Sequence, residues 1–128
     1  TLLRQMPNLS EIVEALNYQV LENTKGEKFI TFFGAIYDLN LKTLVYVNAG
    51  HNPPLLFDRK NGMRLLEDGC TVLGAMHPLP FLKEGFITDL DDFLLFCFTA
   101  QKARLKPIIT KRWIVLERII CFLLVMLF

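Results

Sequence analysis

The residues Val47–Pro54 join two segments of β-strand composition through a Gly-His-Asn-Pro-Pro corner. Glycine tolerates the backbone conformations of a tight turn, and a pair of prolines holds the chain extended beyond it. Thr43–Asn48 before the corner and Leu55–Phe57 after it are rich in Leu, Val, Tyr and Phe. The corner therefore predicts a β-rich chain that changes direction sharply at one defined place.

The size and composition of the chain limit its class. Its 128 residues suffice for one domain with a hydrophobic core, and a second domain is not expected. A hydrophobic fraction of 52% with a charged fraction of 21% is typical of a globular protein. The net charge of +1 excludes a domain-wide basic surface, so no nucleic-acid partner is expected.

The cysteines and the first residues of the chain indicate the cellular location of the protein. Cys70, Cys97 and Cys121 are an odd number without C-x-x-C spacing, which favours buried thiols over a disulfide framework or a zinc site. No charged segment followed by an apolar one opens the chain, so no signal peptide is expected. We predict a cytoplasmic location, and we expect that a chain beginning at Thr1 has lost its start.

A helix is predicted to begin after Asn8, where an Asn N-cap precedes an acidic residue, Glu11, by three positions. Apolar residues then recur every three or four positions and form one core-facing stripe: Leu9, Ile12, Val13, Leu16 and Val20. The helix is predicted to end before the segment Thr24-Lys25-Gly26.

From Phe29 onward the pattern is that of strands. A first strand through Asp38, a turn at residues 39–42 and a second strand from Thr43 to Asn48 predict a hairpin. Short strands separated by polar turns continue it as a meander, at residues 55–57, 63–66, 86–88 and 93–98. We therefore predict an α+β fold with an antiparallel β-sandwich core flanked by helices, in incomplete form.

The balance of basic and acidic residues changes after Thr99. Residues 1–99 hold 8 Lys/Arg and 12 Asp/Glu, whereas residues 100–128 hold 6 Lys/Arg and only Glu117 on the acidic side. We divide the chain into a domain of residues 1–99 and a divergent tail of residues 100–128, basic and then apolar. The apolar run Ile119–Phe128 has ten residues, against about 20 for a membrane-spanning helix, so a membrane partner is not favoured.

Four motifs occur in the order found in one enzyme family: Phe29-Ile30-Thr31-Phe32-Phe33, Tyr46-Val47-Asn48-Ala49-Gly50-His51-Asn52-Pro53-Pro54, Leu73-Gly74, and Asp91-Asp92 followed by an apolar strand to Thr99. In these motifs the chain resembles the PPM-type serine/threonine phosphatase domain of stage II sporulation protein E, a relative of protein phosphatase type 2C. The resemblance covers roughly residues 8–99. It implies the α+β sandwich predicted above.

The resemblance also implies an activity. Such domains hydrolyse phosphoserine or phosphothreonine with a water held between two Mn²⁺ or Mg²⁺ ions, which aspartates bind because hard cations prefer carboxylate oxygens. In relatives the substrates are small phosphorylated regulatory proteins, the anti-sigma-factor antagonists. The implied partner of this chain is therefore a phosphorylated protein substrate or regulator.

The metal ligands are where this sequence departs from the family. The family motif Thr-Asp-Gly reads Thr99-Ala100-Gln101 here, so Ala100 replaces a ligand aspartate. A Gly-Asp-x-x-Gly-x-Gly motif would lie upstream of Asn8 and is absent, and residues 100–128 contain no Asp to serve as a third ligand. We expect no tightly bound Mn²⁺ or Mg²⁺ and no activity. Our hypothesis is that residues from about 100 onward are translated out of frame, and the alternative is a natural divergent tail.

The site candidates lie on the corner and on the strand before it. His51 and Asn52 are the candidate catalytic residues, because an imidazole can protonate a leaving serine oxygen. Thr31 and Asn48 are the candidate substrate contacts. The other interpretation is structural: His51 and Asn52 shape the corner through hydrogen bonds to the backbone, and Thr31 is an ordinary strand residue.

Two other functions remain open on the sequence. A non-catalytic module could keep the fold and bind a phosphoprotein or regulator, and a membrane-associated fragment could be held by the apolar tail. The acidic residues Asp89, Asp91 and Asp92 precede a strand, and we expect a solvated turn there, with weak cation binding as the alternative. The sequence does not indicate an oligomeric state.

Overall fold

The computed structural model of the protein describes residues 8–99, 104–109 and 119–127. The helix α1 (Leu9–Thr24) begins at the N-cap Asn8, whose side-chain oxygen accepts a hydrogen bond of 2.8 Å from the Glu11 backbone N–H. It ends at Lys25, which adopts the left-handed conformation at φ 53°. The predicted start is confirmed, and the helix runs one residue further than predicted.

In the described part of the chain, nine strands follow in order: β1 (Ile30–Asp38), β2 (Thr43–Ala49), β3 (Leu55–Asp58), β4 (Gly62–Leu65), β5 (Gly69–Cys70), β6 (Gly85–Ile87), β7 (Phe93–Thr99), β8 (Arg104–Ile109) and β9 (Ile119–Leu127). They form two sheets. The first has the order β5-β2-β1-β9, with β6 also paired to β2, and the second has the order β4-β3-β7-β8. All pairs are antiparallel except β2 with β5.

Two apolar clusters hold the layers together. The first lies between the sheets and joins Phe33, Leu44 and Tyr46 of the first sheet to Leu56 and Leu95 of the second. The second lies on the opposite face of the first sheet, where α1 covers it with the helical stripe: Leu9, Val13, Leu16 and Val20 pack with Ile30, Phe32, Val47 and Ala49. The first sheet is therefore covered on both faces, and the α+β sandwich is confirmed.

The order of the second sheet corrects one detail of the sequence interpretation. A meander would place β3 beside β2, but β3 pairs with β7 across the register Leu55↔Phe96 to Asp58↔Phe93. The corner after β2 therefore carries the chain from one sheet to the other. The two-residue strand β5, which pairs with Asn48 and Ala49, was not predicted because two residues show no periodicity.

The tail takes part in both sheets. The strand β8 pairs with β7 from Leu95↔Ile109 to Thr99↔Arg104, and β9 pairs with β1 from Ile30↔Leu127 to Asp38↔Ile119. Of the predicted tail, residues 100–103, which include Ala100, and residues 110–118 and 128 lie outside the described residues. In the described part of the chain, no helix is both long and apolar enough to cross a membrane.

The buried Asn17 fastens α1 to the loop that follows β5. Its amide nitrogen donates to the Met76 carbonyl oxygen at 2.9 Å, and its amide oxygen accepts from the Gly74 N–H at 2.8 Å. Both groups of the side chain are used, so a fully buried polar residue is satisfied within the apolar face of the helix.

Replacing Asn17 with Ala would leave the Gly74 N–H and the Met76 carbonyl oxygen without this partner. We expect Asn17→Ala to lower the free energy of unfolding by about 2 to 4 kcal/mol, because each buried unpaired group costs about 1 to 3 kcal/mol. Asn23→Ala on the exposed side of α1 is the matched control and should change it by less than about 0.5 kcal/mol. Urea denaturation measures both, and equal effects would contradict the role assigned to Asn17.

Candidate functional site

Gly50 begins the corner between the sheets. Its φ of +69° lies in the left-handed region, which residues with a side chain rarely adopt. A Cβ atom on this residue would lie 2.5 Å from Cγ1 of Val72. Both the backbone conformation and the close neighbour therefore require glycine at this position.

Asn48 fixes the course of the corner from the end of β2. Its side-chain oxygen accepts a 2.8 Å hydrogen bond from the His51 backbone N–H, and its amide nitrogen donates to the Leu66 carbonyl oxygen at 3.0 Å. The first bond closes the turn over three residues, and the second ties the turn to the chain that follows β4. One buried amide therefore joins the two segments.

His51 turns its ring inward, towards β1. Its Nδ1 lies 3.0 Å from Oγ1 of Thr31, and the two side chains share one hydrogen bond whose direction depends on the imidazole tautomer. Both residues are buried, His51 with 6% of its surface exposed. Among the described residues, Nε2 of His51 is buried without a hydrogen-bond partner.

Burial sets the protonation of His51. Removal from water lowers the pKa of the imidazole below its ordinary value of 6.5, because the charged form loses its hydration. The ring is therefore neutral at pH 7. Thr31 supplies a hydroxyl group and no charge to offset this effect.

The structure brings three of the four candidate residues together and places the fourth apart. Thr31, Asn48 and His51 form one buried group around the corner, whereas Asn52 is exposed. The contacts of the three buried side chains are those of a structural corner. Their predicted roles as catalytic residue and substrate contacts stay predictions.

Asp68 and Gly69 complete the support of the corner, and the sequence interpretation did not single them out. The Asp68 carbonyl oxygen accepts from the Asn48 N–H at 2.9 Å, and its carboxylate accepts from the Tyr46 hydroxyl at 3.1 Å. A Cβ on Gly69 would lie 1.8 Å from the Asn48 carbonyl oxygen, so only glycine permits this approach. The adjacent pair Asp68-Gly69 is recognisable in the sequence as a turn signal. The sequence does not show that this turn pairs with Asn48 of β2.

A shallow cleft of about 410 Å³ lies beside β5, between Cys70, Phe81 and Lys83. Burial raises the pKa of the Cys70 thiol to about 11, so the thiol is protonated at pH 7 and is a weak nucleophile. The Lys83 ammonium lies 3.3 Å from the Asp68 carboxylate. The cleft therefore presents no activated nucleophile.

The acidic residues before β7 contact lysines. Lys42 forms an ion pair with Asp91, and Lys60 lies 3.2 Å from both carboxylate oxygens of Asp89. These pairs are exposed, and they join the turns that follow β1 and β3 to the loop before β7. Within residues 8–99 and the two described tail strands, no group of three or more His, Cys, Asp or Glu is placed to hold a metal ion.

The structural role of Asn48 can be tested by comparison with its exposed neighbour Asn52. Asn48→Ala removes the partner of the His51 N–H and of the Leu66 carbonyl oxygen, so we expect a loss of about 2 to 4 kcal/mol in the free energy of unfolding. Asn52→Ala should change it by less than about 0.5 kcal/mol. Urea denaturation of both variants measures the difference, and a small effect of Asn48→Ala would contradict the bridge described above.

The buried imidazole predicts a pH dependence of stability. Because folding lowers the pKa of His51, the unfolded chain binds more protons as the pH falls below 6.5. The contribution is therefore complete above pH 6.5 and declines as the pH falls towards the folded pKa. His51→Gln should flatten the stability profile measured by urea denaturation between about pH 5 and pH 8, whereas the exposed control His77→Gln should retain it. A profile unchanged by His51→Gln would refute this assignment.

Comparison with known proteins adds the family. Residues 1–99 match the family model described as stage II sporulation protein E (SpoIIE). No curated protein and no solved structure matches the chain. The match includes β1, β2 and the whole corner with Thr31, Asn48 and His51. Because it spans 99 of the 128 residues, the chain belongs to the stage II sporulation protein E family, that of the PPM-type phosphatase domains.

Proposed function

We propose that this chain is part of a metal-dependent phosphoprotein phosphatase and that the 128-residue polypeptide retains the scaffold without the hydrolytic activity. The proposal combines the family membership with one observation: the buried corner of Thr31, Asn48 and His51 is intact, but no carboxylate cluster accompanies it in the described part of the chain. The corner would support a site, but among the described residues no cluster of metal-binding side chains accompanies it.

Within residues 8–99, 104–109 and 119–127, the side chains do not fit a pair of divalent cations. A Mn²⁺ or Mg²⁺ ion needs several oxygen ligands at one place, and carboxylates provide most of them. Asp58 is buried and accepts bonds from the Lys60 N–H and the Asn61 amide, and Asp89 and Asp91 contact lysines. The sequence has Ala100 where the family has a ligand aspartate. We therefore derive no reaction step through a metal in this polypeptide.

The substrate class of the proposed parent domain follows from the family. Relatives act on small phosphorylated regulatory proteins, such as anti-sigma-factor antagonists, and we propose a phosphoserine or phosphothreonine protein of this kind. A cytoplasmic location is part of the same proposal, since such regulators act inside the cell. Neither His51 nor Thr31 supports a specific substrate, because both are buried.

A non-catalytic binding module is the second candidate. It is favoured by the combination of an intact corner with carboxylates that contact lysine side chains, because a module that only binds needs a scaffold and no metal. Such a module would hold a phosphoprotein or a regulator without cleaving the phosphoester.

Hydrolysis and binding can be separated with the purified 128-residue polypeptide. In Mn²⁺ or Mg²⁺ at about 1 mM, we expect no release of phosphate from a phosphoserine peptide above the rate without protein, because the metal ligands are not assembled. Isothermal titration calorimetry should detect no tight Mn²⁺ site. Metal-dependent turnover, or two Mn²⁺ ions bound per chain, would overturn the proposed inactivity.

The double variant Ala100→Asp with Gln101→Gly is the matched control for this experiment. It restores the family motif Thr-Asp-Gly but supplies only one carboxylate, so it should remain inactive. Binding of the phosphoserine peptide by the unaltered chain, followed by fluorescence anisotropy, distinguishes the candidates. Saturable binding that requires the phosphate supports the binding module, and absence of binding removes it.

A further inference from the structure

The strand β9 lies at the end of the first sheet. It pairs with β1 along Ile30↔Leu127 to Asp38↔Ile119, and its other side has no strand partner among the residues that the structure describes. A strand in this position presents a row of backbone N–H and C=O groups that can pair with another strand. With nine residues, β9 is as long as β1.

The composition of β9 lacks the features that normally prevent such pairing. Edge strands are commonly protected by charged residues, proline, bulges or short length. The segment Ile119–Leu127 contains no Lys, Arg, Asp, Glu, Pro or Gly. The edge β4 of the second sheet differs in this respect, since it has four residues and includes Arg64.

The register identifies which backbone groups of β9 face the open side. Ile30 exchanges both of its hydrogen bonds with Leu73, each at 2.9 Å, so its N–H and C=O point away from β9. Directly opposite residues in an antiparallel pair alternate between bonded and non-bonded pairs. Thr31↔Met126 and Phe33↔Leu124 are therefore bonded pairs, and the odd-numbered residues of β9 direct their N–H and C=O outward.

We propose that the outer edge of β9 is a dimerisation site for a second copy of this chain, with the two β9 strands antiparallel about a two-fold axis at Leu123. In this register Leu123 faces its own copy and Cys121 faces the second copy's Val125, so outward groups meet outward groups. All nine residues overlap. The two five-stranded sheets become one continuous sheet.

A second copy suits this edge better than a strand of another composition. A two-fold axis makes the pairing self-complementary, since each strand supplies the same donors and acceptors. No charge lies in Ile119–Leu127, so two copies meet without like charges opposed across the ladder. The contact also closes after two chains, because the described part of each chain has one such long, uncharged edge.

Light scattering after gel filtration of the full chain tests the proposal. Between about 1 µM and 100 µM the mass should rise from 14.8 kDa towards twice that value. Leu123→Pro removes an N–H that faces outward and spares the bonds to β1, so it should raise the dissociation constant at least about tenfold with the fold retained by circular dichroism. Leu124→Pro, the matched control, removes a bond to β1 and should destabilise the fold itself.

Hydrogen exchange of the unaltered chain gives an answer that does not depend on the variants. The N–H groups of Cys121, Leu123 and Val125 should exchange more slowly as the concentration rises, whereas those of Phe122 and Leu124 should be protected at all concentrations. A chain that stays monomeric, a Leu123→Pro variant that dimerises as well as the original, or assemblies larger than a dimer would each overturn the proposal.

Discussion

The bridge made by the Asn48 side chain is the interaction on which the arrangement of the sheets depends. The amide holds the His51 N–H and the Leu66 carbonyl oxygen at once, so the turn after β2 and the chain after β4 cannot shift independently. The corner directs β3 into the second sheet. The path of the chain through this corner leads to the pairing of β3 with β7 and to the burial of Leu56 in the core between the sheets.

Close backbone approaches make this corner possible. Gly50 supplies the left-handed conformation, and Gly69 lets β5 lie against Asn48. Asp68 then uses its carbonyl oxygen for the Asn48 N–H and its carboxylate for the Tyr46 hydroxyl. Desolvation is the main cause that raises the pKa of Tyr46, so this phenol stays neutral and donates the bond. The corner is therefore held from both sides by short-range polar contacts.

Local patterns predicted the elements better than their partners. The Asn8 cap, the apolar stripe of α1 and the β1–β2 hairpin follow from signals within about 20 residues of sequence, and the structure confirms them. The pairing of β3 with β7 and the bonds from Asn17 to the loop after β5 join residues far apart in the chain, which periodicity cannot reveal. The corner shows the same limit of sequence patterns. Gly50 and His51 marked the corner in the sequence, but the hydrogen bond from Asn48 to Leu66 could not be predicted.

The motif at the corner could serve the packing of the sheets, catalysis, or both, and its geometry bears on each role differently. A catalytic imidazole needs access to substrate and a pKa near the working pH. The ring of His51 is buried against Thr31 and desolvation lowers its pKa, and its catalytic role stays a prediction. Thr31, Asn48 and His51 of the motif are buried, whereas Asn52 is exposed. The packing contacts of this motif are made by Thr31, Asn48 and His51 themselves. They therefore do not require the carboxylates through which the family is expected to bind metal.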